Sequence, residues 1–122
     1  MAQLQGQVTA DHAKAEALVG SWVPEVSAKK LGVVVGPVVY DYVQIWSDHR
    51  GLVLRYPGAL LLKSGDYTTF GRSGYWITVV PQRFSTAAAA NAWCDSENIG
   101  PSDCLAARLT HDPHLHGNTV TR

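Results

Sequence analysis

The chain has 122 residues, 46% of them hydrophobic, which suits one domain with a single core that needs no metal to hold it. Ten Lys plus Arg balance ten Asp plus Glu, so no overall field draws the chain to nucleic acid or to an acidic surface. No apolar run nears the roughly eighteen residues of a membrane span, and MAQLQGQVTADHAK lacks the basic-then-hydrophobic pattern of a signal peptide.

The opening residues are polar and then read TADHAKAEALVG, where Ala15, Leu18 and Val19 share a helical face and Gly20 is a stop. Residues 1–21 are therefore expected to form a short helix or linker whose narrow apolar stripe packs at the domain edge, and whose removal is tolerated. Trp22 to Ser27 alternates as a strand with one buried face. Pro24 cannot donate to a ladder, so this strand lies at an edge or turns Pro24 to a non-bonded position. A further short strand is expected at Leu31 to Val35. Asp41 then reads as an N-cap, with Gln44 three residues on and Tyr40 and Ile45 placed as a hydrophobic staple. In the helix that follows, Tyr42, Ile45, Trp46, His49 and Val53 face the sheet, Asp48 and Arg50 face outward, and Tyr56-Pro57-Gly58 ends it.

Ala59 to Lys63 reads as a strand, and SGDYTTFGRSG as a polar connection to Tyr75 to Val80, which alternates as its hairpin partner. Ser85 is placed to cap the next helix, which the alanine run favours and Asn98-Ile99-Gly100-Pro101 stops. Cys104 to Leu109 supplies the last strand, and 111–122 reads as a flexible tail. The order predicts an α+β domain over 22–110 with a ferredoxin-like split β-α-β (βαββαβ) arrangement. It has a four-stranded antiparallel sheet, two helices on one face and an additional N-terminal helix. The other face is left open unless something binds there.

Cys94 and Cys104, the only cysteines, flank one helix-to-strand loop. A bridge between them implies an oxidising compartment, and the alternative is a pair of buried, reduced thiols. Joined, they close a loop of about ten residues, for which chain entropy gives roughly 2.5 to 3 kcal/mol of stabilisation.

Two stretches carry a family resemblance. WVPEVSAK at Trp22 to Lys29 is similar to the opening strand of the SPOR (sporulation-related repeat) domain, and WITVVPQRFSTAAAANAWCDSENI at Trp76 to Ile99 to its third strand and alanine-rich helix. The resemblance covers Trp22 to Thr110. It implies an extracytoplasmic module that binds peptidoglycan glycan strands across an open sheet face. Where the family often has glutamine on that face, this chain has Glu25. WVPEVSAKK, YDYVQIW and SGDYTTF also resemble extracytoplasmic C-terminal regions of actinobacterial membrane Ser/Thr protein kinases. That likeness implies a sensor or interaction module with a cell-envelope protein or small molecule as partner. Neither implies nucleic acid or direct membrane insertion, and the signal or anchor lies outside this chain.

Alternation places Val23, Glu25, Leu61, Lys63, Trp76 and Thr78 on the open face, where Trp76 could stack on a sugar ring. A slip of one residue would instead put Trp76 in the core and reverse the faces. Asp66 and Tyr67 sit in the hydroxyl-rich hairpin connection, a second candidate binding element or a plain solvated turn. Asp41, Asp48 and His49 do not read as a catalytic triad, and no GxSxG, HExxH or phosphate loop is present, so no enzymatic activity and no cofactor are expected. His111, His114 and His116 have loose metal-ligand spacing, but the rest of a shell is missing and a solvated terminus is the simpler reading.

Overall fold

The computed structural model describes residues 1–122 and is an α+β domain with three helices and two sheets. The main sheet contains β1 (Trp22–Lys29), β4 (Leu60–Lys63), β5 (Trp76–Val79), β6 (Leu105–Arg108) and β7 (Thr119–Val120), in the order β4-β5-β1-β6-β7. Every neighbouring pair in it is antiparallel. A separate hairpin pairs β2 (Val34–Val35) with β3 (Val38–Val39), so the single strand expected at Leu31 to Val35 is instead two short ones around Gly36-Pro37.

Helix α2 (Tyr42–Arg55) starts where the capping pattern places it, with Asp41 Oδ1 accepting from Gln44 N at 2.8 Å, a cap worth about 1 kcal/mol. Ile45 and His49 are buried against the sheet. Asp48 does not face outward but accepts from Ser27 Oγ at 2.7 Å. The cap of α3 (Ala87–Ser96) is Thr86 rather than Ser85, its hydroxyl accepting from Ala89 N at 3.1 Å. Asn98 at φ 58° and a bond from Ile99 N to Cys94 O turn the chain out of that helix. The Cys94–Cys104 disulfide then ties α3 to the start of β6.

Both α2 and α3 lie on one face of the sheet, where Val26, Tyr56, Val80 and the two cysteines pack together. Pro24 sits in a central strand, so of its two options the non-bonded one is realised. Its carbonyl accepts from Val80 N, so its nitrogen also faces the point where β5 has ended.

The other face is not open. The connection between β4 and β5 folds into two 3-10 turns, Ser64–Asp66 and Thr68–Phe70, and crosses the sheet to reach the end of β6. Thr69 Oγ1 donates to Arg108 O at 2.7 Å and accepts from Thr110 N at 2.9 Å, while Thr68 N donates to Thr110 O. These hydroxyls satisfy backbone groups that would otherwise be stranded, and Tyr67 packs with Val23, Ile77, Val79 and Leu109 beneath them.

The N-terminal segment packs against the sheet. Helix α1 (Ala2–Glu16) is longer than expected and runs along the outer edge of β4, burying Leu4, Val8 and Ala15. Leu4 and Val8 join Ile45, Leu61 and Trp76 on the helix-covered face, whereas Ala15 and the following Leu18 join the cluster on the opposite face. Between them Asp11 Oδ2 accepts from Leu61 N at 2.9 Å. The C-terminal segment is likewise integral rather than a tail. β7 pairs with β6, Arg108 donates to Asn118 Oδ1 through both Nε and Nη2, Asn91 Nδ2 donates to Val120 O, and Arg122 pairs with Asp95.

Candidate functional site

The residues expected on one open face are divided between two. Glu25 lies opposite Val79 and Val23 opposite Ala107, so both share the face that carries Ile77 and Val79. Leu61, Lys63, Trp76 and Thr78 point the other way, towards the helices. A bulge in β1 between Glu25 and Ser27 breaks the alternation and turns Ser27 to the helix side, opposite Thr78.

Trp76 is thus core, 6% exposed among Leu4, Val8, Ile45 and Leu61. Lys63 Nζ sits 5.5 Å from its ring centroid and 3.5 Å from Gln5 Oε1, a cation covering the edge of that core. Thr78 is buried and bonds His49 Nδ1 at 2.9 Å. Burial holds the His49 imidazole below its ordinary pKa, which keeps the ring neutral. Asp66 is exposed on its turn, and Tyr67 is buried with its ring stacked on His111 at 4.8 Å. His111 Nε2 also contacts the Glu16 carboxylate at 2.8 Å. No group of three or more His, Cys, Asp and Glu side chains is close enough to hold a metal ion.

Of the expected site residues, Glu25 alone faces a cleft. The 3-10 turns reach the end of β6 at Arg108 but leave a gap over its start at Leu105, beside β7. The gap is a cleft of about 350 Å³ lined by Glu25, Phe70, Arg72, Leu105 and Thr119. A second hollow of about 230 Å³ is also lined by Glu25, Arg72 and Leu105, and reaches Ser102 and Asp103 in the loop before β6. Glu25 is 8% exposed, its Oε1 has no hydrogen-bond partner, and it makes no ion pair. Burial pushes its carboxyl up to about 7, with the Arg72 charge working in the opposite direction. Arg72 lies 4.3 Å over the Tyr75 ring, which keeps the guanidinium near the cleft mouth while leaving its donors available.

Phe70, Arg72 and Thr119 escaped sequence reasoning. The first two sit in a glycine-bearing connection that reads as solvated, and Gly71 at φ 65° makes the left-handed exit from the second turn that brings them back over the sheet. The one available signal was Phe70 itself, a large apolar residue in an otherwise polar loop. Thr119 belongs to a strand of only two residues, too short for any periodicity to register.

A third hollow, of about 280 Å³, lies between β1, α2 and the loop after α3. On its wall Lys29 Nζ donates to Ser27 Oγ, which donates to Asp48. Of the buried side-chain atoms without a partner, Glu25 Oε1 alone belongs to a residue that lines a hollow, while His49 Nε2, Tyr67 OH, Asn91 Oδ1 and Arg122 Nε do not. No protein-family model, curated protein or solved structure matches the chain.

Proposed function

We propose that the chain is a non-catalytic, extracytoplasmic binding module that takes a hydroxyl-bearing glycan segment, of the kind in peptidoglycan strands, in the Glu25 cleft. The observation that carries this reading is the unpartnered Glu25 carboxyl facing a cleft with an aromatic ring, a hydroxyl and a guanidinium on its walls. Sugar hydroxyls both donate and accept. A carboxyl titrating near neutrality answers them in either form, while Phe70 offers an apolar surface to a sugar face. The order β4-β5-β1-β6, with helices after β1 and β5, fits the ferredoxin-like plan on which the SPOR resemblance rests. The disulfide is in keeping with placement outside the cytoplasm.

Glu25 is the one carboxyl in the main cleft, whereas glycoside hydrolysis ordinarily needs two across the scissile bond. Co-sedimentation with purified peptidoglycan tests the proposal. The native chain should pellet with the wall, more strongly below about pH 7, where a protonated Glu25 no longer repels stem-peptide carboxylates. Phe70→Ala should weaken retention about tenfold. No retention by any wall preparation would remove the glycan reading in favour of a protein partner of the kinase-appended type. Release of reducing ends, abolished in Glu25→Gln, would make the chain an enzyme instead.

A further inference from the structure

Between Lys30 and Tyr40 the chain leaves the domain as a hairpin, in which Val34 pairs with Val39 and Val35 with Val38. Bonds from Gly32 N to Tyr40 O and from Tyr40 N to Val33 O, each 2.8 Å, extend its ladder to the base. Gly36, at φ 58°, and Pro37 make the tip. No side chain from Leu31 to Val39 carries a polar atom.

Cross-strand partners share a face, so Val34 and Val39 lie on one side of the hairpin and Val35 and Val38 on the other. Their exposures are 63%, 63%, 49% and 36%, so neither side packs on the domain. An occupant that removes these valines from water has to reach both sides of a protrusion. A flat protein surface reaches one, whereas hydrocarbon chains surround it.

The base of the hairpin carries cations set against aromatic rings. Lys29 Nζ lies 5.5 Å from the Tyr40 centroid, Lys30 Nζ lies 5.5 Å from that of Tyr75, and Arg72 covers the other contact with Tyr75. Tyrosines with long cations beside an apolar tip match the order of layers met on entering a bilayer from water. Of the carboxylates around this base, Asp41 accepts from Gln44 N and Asp48 from Ser27 Oγ, while Glu25 and Asp103 line the hollows beside Lys29 and Arg72 rather than the hairpin. The balanced net charge is no obstacle, because at physiological salt a charged surface acts over only about 8 Å and meets these local cations first.

We propose that the β2–β3 hairpin seats the domain on an anionic phospholipid surface, with the tip valines at the outer ends of the acyl chains and Lys29, Lys30 and Arg72 among the headgroups. The tip lies four residues beyond Gly32, about 13 Å at strand rise, enough to reach the roughly 5–10 Å depth at which interfacial elements settle. This is shallow seating, not a span, and no helix of the protein is long and apolar enough to cross a membrane.

Flotation of the full chain with phosphatidylcholine vesicles, with and without phosphatidylglycerol, tests it. Binding should require phosphatidylglycerol and weaken with salt, and Val35→Asp combined with Val38→Asp should lower it at least about tenfold. Lys29→Gln with Lys30→Gln should lower it by about tenfold as well. As a check independent of the aspartates' effect on folding, Val35→Trp should gain fluorescence that brominated acyl chains quench, beyond any change in the native chain. The proposal is overturned if the native chain binds neither vesicle, if the aspartate variant binds as the native chain does, or if the new tryptophan is not quenched.

Discussion

The two faces of the sheet surround their buried polar groups differently. On the helix-covered face His49 Nδ1 and Thr78 bond at 2.9 Å, His49 Nε2 is left without a partner but sealed in the packing, and Ser27, Lys29 and Asp48 form a short chain of hydrogen bonds. On the loop-covered face Glu25 is buried with no partner, in a hollow the 3-10 turns leave uncovered. A polar group that is paired serves the fold, and one left unpaired destabilises it unless a ligand supplies the missing bond. What sets Glu25 apart is therefore the hollow beside it, which gives a ligand room to supply the missing bond, whereas nothing can reach His49 Nε2.

The largest effect should come from removing what both faces share. α1 puts Leu4 and Val8 on the helix side and leads to Leu18 on the loop side, and each such side chain stabilises by roughly 1.5–3 kcal/mol when buried. Deleting residues 1–16 should thus consume most of the typical 5–15 kcal/mol of a small domain, leaving a chain without a cooperative thermal transition. A truncated protein that melts as the full chain does would show that the two faces are held independently.

Glu25→Gln comes next, and its effect depends on pH. The folded Glu25 carboxyl takes up its proton near pH 7 and the unfolded one near 4.5. Within that window the native state binds more protons, so the native protein gains stability as pH falls and loses it as pH rises through about 7. Glutamine removes the charge penalty, so the variant should be more stable by on the order of 3 kcal/mol above pH 7, with the difference vanishing by pH 4.5. Urea unfolding across that range checks it, and a pH-independent difference would mean that Glu25 has a partner after all.

Thr78→Val should have the smallest effect, a loss of about 2 kcal/mol, because it strands Nδ1 of a buried ring whose Nε2 already lacks a partner. Here the pH trend is reversed. The His49 pKa is held down, so stability is lost as pH falls below the ring's ordinary value of 6.5, where the unfolded chain takes up a proton that the buried ring resists. A neutral outcome for Thr78→Val would show that the His49–Thr78 bond does not help to hold the helix-covered face.

Helices with strong local signals were legible in the sequence. Asp41 and Gln44 mark the start of α2, and the alanine run marks α3 to within one residue of its cap. The strands β1, β4, β5 and β6 too lie within one or two residues of their alternating patterns, whereas β2, β3 and β7, of two residues each, did not register. Faces were not legible, because the β1 bulge adds one residue between Glu25 and Ser27 and alternation has no way to announce it. The first half of α1 hid for a different reason. Leu4, Val8, Ala15 and Leu18 have helical spacing, but Asp11 occupies the middle of the stripe and Gly6 lowers propensity, so the pattern reads as polar. Asp11 makes sense only beside Leu61, fifty residues away in the chain. Of the cleft, Glu25 was visible as a polar residue in an apolar strand, while its walls come from a loop and a two-residue strand whose positions are set by tertiary contacts.

The two ends of the chain occupy the two margins of the sheet. An unprotected margin is a row of free amides and carbonyls onto which a second molecule can zip, the first step towards fibrils and exchanged dimers. At β4 the Asp11 carboxylate already occupies one such amide and α1 lies over the margin, while at the far side the outermost strand is only two residues long. Neither margin is a template of useful length. The domain is thereby protected against stacking on its own copies, and that protection goes first wherever a terminus is pulled away.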